Sequence, residues 1–197
     1  MGVSYSCNNG GLIMKYAIIL AASLLSFSTI AQVKNIESKG NLESPNPATC
    51  TEVSKLSNKQ NPADIFVGIA DCIANNKYEL AVPLFMTALG YGKFDTQRVA
   101  DKSAHQAVAV IRINTLGGLN EDQNVKFQSA FETFNTGNGK IKTCKQLKAL
   151  GAPSYHPRYM IQHGMGAFNG SKKELVDNFN SQEAWQDVFD NYLKCKS

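Results

Sequence analysis

The densest gathering of reactive side chains in this sequence is Ser154-Tyr155-His156-Pro157-Arg158-Tyr159-Met160-Ile161-Gln162-His163-Gly164-Met165-Gly166. Two kinds of chemistry suit it. A histidine titrates near neutral pH, so His156 or His163 could serve as the general base of a small exported hydrolase. Alternatively, Tyr155, His156, Arg158, Tyr159 and His163 could form a partner or ligand surface, because aromatic and guanidinium groups anchor interfaces well. A packed turn accounts for the same residues, with Gly164 and Gly166 letting helices approach and Tyr and Met filling the core. On one helix His156 and His163 would share a face about 10 Å apart. That is too far for both to bind one metal, and metal-binding helices use i, i+4 spacing. The third histidine, His105, lies among alanines and valines and reads as structural.

Signatures of catalysis are missing from the rest of the chain. G-x-S-x-G, H-E-x-x-H, the P-loop and the EF-hand are all absent from the sequence. Asp71, Glu79 and Asp101 are isolated acids that nothing in the sequence pairs. No catalytic residue, cofactor or metal site is therefore assigned. The charge balance is mild, with 20 basic against 16 acidic residues and scattered lysines. A nucleic-acid binder would show a basic patch or stripe, so no nucleic-acid partner is expected.

The compartment is read from the N-terminal third. Met14-Lys15-Tyr16 precedes an apolar run from Ala17 to Ile30, and Thr29-Ile30-Ala31 closes it with small residues. This is the layout of a secretory signal cleaved between Ala31 and Gln32. The apolar run is shorter than the ~20 residues a spanning helix needs, so no stable membrane anchor is expected after cleavage. A lipoprotein would carry Cys directly after the run, whereas the next one is Cys50. Met1-Gly2-Val3-Ser4-Tyr5-Ser6 fits the short myristoylation pattern, which clashes with an export signal. Residues 1–13 are read as the product of an upstream start codon.

The chain beyond the signal holds four cysteines, Cys50, Cys72, Cys144 and Cys195. An even set in an exported protein reads as two disulfides. Without a C-x-x-C pair, neither a zinc knuckle nor a thioredoxin-like motif is supported. Of three connectivities, Cys50–Cys72 with Cys144–Cys195 is favoured as the most local.

These residues need elements to hold them. Residues 32–45 read as a flexible polar segment, and residues 46–197 as a single α-helical domain. Asn46-Pro47-Ala48 and Asn61-Pro62-Ala63-Asp64 each place Asn at a cap and Pro in the first helical turn. Tyr78, Ala81, Phe85, Ala88 and Leu89 mark a helix that Gly90 should end and Pro83 should bend. Asp95 is read as the cap of a helix ending at Gly117-Gly118. Asn120 to Gln123, Thr143 to Gln146 and Ser171 to Glu174 resemble capping boxes. Pro157 can open a helix around Tyr159, and Ser181 a last one bearing Trp185, Val188, Phe189, Tyr192 and Leu193. Alternating strand patterns are missing. The expectation is an all-α fold, a compact bundle or short superhelix of about seven or eight short helices braced by disulfides.

Residues 65–89 resemble one tetratricopeptide unit. Tyr78, Ala81, Phe85, Ala88 and Leu89 match the second-helix pattern of that family, and Asn75-Asn76-Lys77-Tyr78 is similar to its turn. The resemblance implies a protein-binding helical scaffold and carries over no catalytic residue. With the export signal it supports a non-enzymatic module that binds another protein, in its specific form an immunity-type protein blocking a periplasmic toxin. The competing readings are the hydrolase above and a structural component of the envelope.

Overall fold

The computed structural model describes residues 37–170 and 173–195. The export signal, its cleavage point at Ala31 and Gln32, and residues 32–36 lie outside them. Eight α-helices follow one another in the described residues: α1 Pro62–Ala74, α2 Tyr78–Arg98, α3 Ala107–Leu116, α4 Glu121–Thr136, α5 Gly139–Leu150, α6 Arg158–Ile161, α7 Gly166–Asn169 and α8 Ser181–Asp187. Tighter 3₁₀ turns cover Val53–Lys55 and Lys102–Gln106, and a wider π turn continues α8 over Val188–Tyr192. The class is all-α, as the sequence predicts. Among the described residues the strand-like contact is one isolated antiparallel bridge, Val99 with Leu175.

Helix α1 starts where its cap residues place it. The Asn61 side chain accepts from the Asp64 N–H at 2.9 Å, and Asp64 accepts from the Asn61 N–H at 2.8 Å. The two satisfy donors that no helical carbonyl can reach, while Pro62 has no N–H to satisfy. Asp64 also accepts from Ser44 Oγ at 2.8 Å and from the Asn46 N–H at 2.7 Å.

That second duty explains a correction. Asn46-Pro47-Ala48 opens no helix, because its backbone is spent on α1: Ala48 N–H donates to the Asp64 carbonyl and Cys50 N–H to Asp71 Oδ2. The Cys50–Cys72 disulfide then fastens the same extended stretch to α1. Gly68 permits the approach, since a Cβ there would come within 2.9 Å of the Thr49 carbonyl. Residues 37–45 are likewise built into the domain rather than loose. Leu42 packs against the core and donates to the Tyr159 carbonyl at 3.0 Å.

Helix α2 is the centre of the fold. It packs on α1, α4, α5, α8 and the π turn, and 14 of its 21 residues are buried. A helix enclosed on all sides needs no single apolar stripe, and this one lacks the polar face of a surface helix. It runs through Gly90, where the sequence suggests a stop, and on through Gly92. A Cβ at Gly90 would lie 3.0 Å from Leu193, and one at Gly92 only 2.5 Å from Val108. These glycines are required by neighbours crossing α2, not by a chain ending.

Asp95 is therefore inside α2 rather than capping the next helix; Asp101 caps the 3₁₀ turn that leads into α3, accepting from the Ser103 N–H. Thr143 is similarly buried within α5, which begins four residues earlier at Gly139. The Asn120–Gln123 capping box is present as read. Ser171 and Lys172 lie outside the described residues, and Lys173 and Glu174 are not helical. Instead, Ala100 N–H donates to the Glu174 carbonyl and Val176 N–H to the Arg98 carbonyl.

Both disulfides join the pairs favoured from spacing, Cys50–Cys72 and Cys144–Cys195. The second ties the C-terminal stretch after the π turn to α5. Two such bonds belong to an oxidising compartment. No helix among the described residues is long and apolar enough to cross a membrane.

Candidate functional site

Tyr155 and Tyr159 converge on Asp95 of α2, whose carboxylate is wholly buried. Both phenols donate to Asp95 Oδ2 at 2.8 Å. Arg98, one helical turn on, places Nε 2.8 Å and Nη2 2.7 Å from Oδ1. Its guanidinium lies between the rings of Phe94 and Tyr155, 5.1 and 5.0 Å from their centroids. Burial raises the Asp95 pKa, while Arg98 and the two phenols oppose the rise by stabilising the charged form. Burial, with the Asp95 charge, pushes both phenols well above the ordinary tyrosine value, so they remain donors.

The carboxylate, both phenols and Arg98 Nε are hydrogen-bonded to one another, while Arg98 Nη2, buried, has the ion contact with Asp95 but no hydrogen bond among the described residues. Tyr159 is 1% exposed and so does not belong to a partner surface, a correction to its expected role. Its neighbours in sequence hold the N-terminal segment. Arg158 Nη2 donates to the Lys39 carbonyl at 3.3 Å, and its stem lies beneath Gly40, which adopts φ +102°. Gln162 Oε1 accepts from Ser38 Oγ.

The three histidines are separated rather than gathered. α6 ends at Ile161, so His156 precedes the helix and His163 follows it in a turn. The shared helical face expected of them does not form. His156 Nε2 lies 3.1 Å from Glu174 Oε2 in an exposed contact. His105 Nε2 is 2.9 Å from the Val99 carbonyl, a structural position. Among the described residues no cluster of three or more His, Cys, Asp and Glu could hold a metal.

His163 Nδ1 lies 2.9 Å from Asn41 Oδ1, and partial burial lowers the ring's pKa below 6.5. A histidine with a depressed native pKa binds fewer protons folded than unfolded. Its stabilising contribution is complete above pH 6.5 and is lost as pH falls through the native pKa. A proton NMR titration of His163 is expected to give a midpoint below 6.5. His163→Gln should flatten the acid side of the stability profile; a midpoint at or above the ordinary value contradicts this.

Two grooves flank α5, and they are where the surface is least complete. The first, about 680 Å³, lies between the start of α2, α4 and α5. Val82, Pro83, Val125, Ala130 and Phe134 give it an apolar lining. Tyr78 also lines it, and its hydroxyl, buried inside the wall, has no hydrogen-bond partner among the described residues. A buried unpaired hydroxyl costs about 1–3 kcal/mol, so such groups usually await a partner. Pro83, in the same wall, has no N–H to give the Glu79 carbonyl.

Helix α4, which forms one wall, buries only Phe134 fully among its sixteen residues. Phe85 meets Phe127 and Phe131 edge-on at 5.7 and 6.5 Å, leaving Val125 and Phe131 exposed.

The second groove, about 550 Å³, lies on the other flank of α5, between that helix and the C-terminal turn. Trp185, Phe189 and the Cys144–Cys195 bond line it, together with Lys140, Lys145, Lys148 and Lys194. Sequence reasoning treated these lysines as scattered. Three of them recur along α5, which carries four lysines and no acid, and that local signal was available.

The architecture defines a disulfide-braced all-α domain with an open, two-sided cleft around one helix. Comparison with protein-family models, with curated proteins and with solved structures yields no match to this chain.

Proposed function

We propose that this chain is an exported, non-enzymatic helical module that binds another protein, with the α1–α2 hairpin as a tetratricopeptide-like scaffold. In its specific form it is an immunity-type protein that occludes a toxin reaching the periplasm, after cleavage of the signal between Ala31 and Gln32. The observation that carries the reading is the apolar groove of about 680 Å³, open beside the half-exposed face of α4. Its volume lies within the range of recognition sites, and its lining joins apolar side chains to a few polar ones such as Ser129 and Thr133. A partner side chain filling it would cover Val125 and Ala130. Two disulfides suit a rigid surface that need not order on binding, which lowers the entropic cost of association.

A photo-crosslinking residue at Ser129, in the groove, tests this in cells, with the same residue at exposed Lys102 as control. The expected result is one discrete crosslinked envelope protein at Ser129 and none at Lys102, identified by mass spectrometry. For the immunity form, production of that protein in the absence of this chain should be toxic, and co-production with it should not. Equal crosslinking at both positions, or none at either, overturns the reading.

A further inference from the structure

We propose that the groove between α5 and the C-terminal turn receives an acidic segment of the partner protein, with one aromatic or aliphatic side chain of that segment seated on Trp185 and Phe189. The inference rests on the protein-binding reading and specifies the chemistry of what binds. Its basis is charge complementarity around an apolar floor. Lys140, Lys145, Lys148 and Lys194 line the groove against a single acid, Asp190. Asp190 is already engaged, accepting from Gln186 Nε2 at 2.9 Å. None of the four lysines makes an ion pair among the described residues, whereas Lys126, Lys142 and Lys173 elsewhere each face a carboxylate within 4 Å.

Four unneutralised ammonium groups around one depression repel one another and raise the local concentration of anionic segments. Apolar binding is provided independently. Trp185 is only partly buried, and its ring stacks edge-on with Tyr91, Phe94 and Phe189 at 5.3–5.9 Å. It is therefore held rigid while part of its surface stays open. Aromatic residues fixed in this way are the usual anchors of an interface, and rim charges set the on-rate and partner choice. The first groove shares α5 as its wall, so one partner can straddle the helix and fill both.

The chain has one tryptophan, so its intrinsic fluorescence reports this groove alone. The test titrates the full oxidised chain with a glutamate-rich peptide carrying one phenylalanine, and with its lysine-for-glutamate counterpart. The acidic peptide is expected to shift Trp185 emission saturably, and the basic one to leave it unchanged. Lys145→Glu with Lys148→Glu should weaken the acidic peptide about tenfold or more at low salt. Salt should weaken it in parallel, as the Debye length falls from about 10 Å at 0.1 M to about 3 Å at 1 M. Lys102→Glu should change nothing.

Absence of a response overturns the proposal, as does an equal response to both peptides. An equal response to sulfated polysaccharide or to phosphatidylglycerol vesicles also overturns it, since the groove would then read charge alone. The Ser129 crosslink is read independently, so loss of this response leaves the binding reading standing.

Discussion

Replacing Asp95 with leucine should lower the stability of the oxidised domain by about 3–5 kcal/mol, the cost of removing one partner from a buried ion pair. At about 2–4 °C per kcal/mol for a chain of this size, the melting temperature falls by roughly 6–20 °C. The cause is what remains behind. Arg98 stays inside the fold, 8% exposed and clamped between Phe94 and Tyr155, with no carboxylate to face. Tyr155 and Tyr159 lose their shared acceptor, and a buried hydroxyl without a partner is itself costly.

The companion Arg98→Met separates pairing from packing. If the loss comes from the orphaned charge, Asp95→Leu with Arg98→Met recovers a large part of what either single change loses, because an apolar pair of similar volume can replace a buried ion pair. Urea unfolding of the four proteins gives the coupling energy directly. A loss below about 1 kcal/mol in Asp95→Leu would mean that the carboxylate is solvated, against its buried position.

The Asp95 cluster also marks the limit of what the sequence discloses. Asn61 to Asp64 could be read as a helix start because both partners of that cap lie within one turn. The same holds for Asn120 and Gln123. Asp95 and Tyr155 lie 60 positions apart, so nothing local distinguishes that aspartate from a cap or those tyrosines from a docking surface. Gly90 misleads for a related reason. Glycine ends a helix by its own backbone freedom, but here it makes room for Leu193, which arrives from a distant segment.

Asn46-Pro47-Ala48 has the composition of a cap, yet Asp64 and Asp71 take its donors into an extended strip. The cysteine pairing was legible because four thiols allow few arrangements and loop entropy favours the short ones. Of the two grooves, the lysines on α5 were legible, whereas Lys194 and Trp185 reach them only through the fold of the C-terminal turn. The unpaired Tyr78 hydroxyl had no signature in the sequence, where Tyr78 reads as one more core residue of an apolar stripe.

Removing the Cys144–Cys195 bond by alanine replacement of both residues should cost about 4 kcal/mol in chain-entropy terms, against about 3 kcal/mol for Cys50–Cys72, because the closed loops span 51 and 22 positions. The order of chemical reduction should be the same for a different reason. Thiol attack requires access. Cys144 and Cys195 are both partly exposed and line the open basic groove, whereas in the other bridge Cys50 alone is partly exposed and Cys72 has 0% exposure. Limiting reductant followed by alkylation and mass mapping should therefore label Cys144 and Cys195 first, with Cys50 and Cys72 labelled only as the domain unfolds; simultaneous labelling of all four would refute the ordering.

The consequence for binding follows from what each bridge holds. Cys50–Cys72 fixes the entry strip to α1, far in sequence from either wall of the basic groove. Cys144–Cys195 joins those two walls, α5 and the turn after α8. Mild reduction should thus release Lys194 and loosen the seating of Trp185 while α1 and α2 remain folded. Acidic-peptide binding would then be lost at reductant levels that leave the helical circular dichroism largely intact. Retention of binding after selective labelling of Cys144 and Cys195 would show that packing of Trp185 on Tyr91, Phe94 and Phe189 holds the groove without the bond.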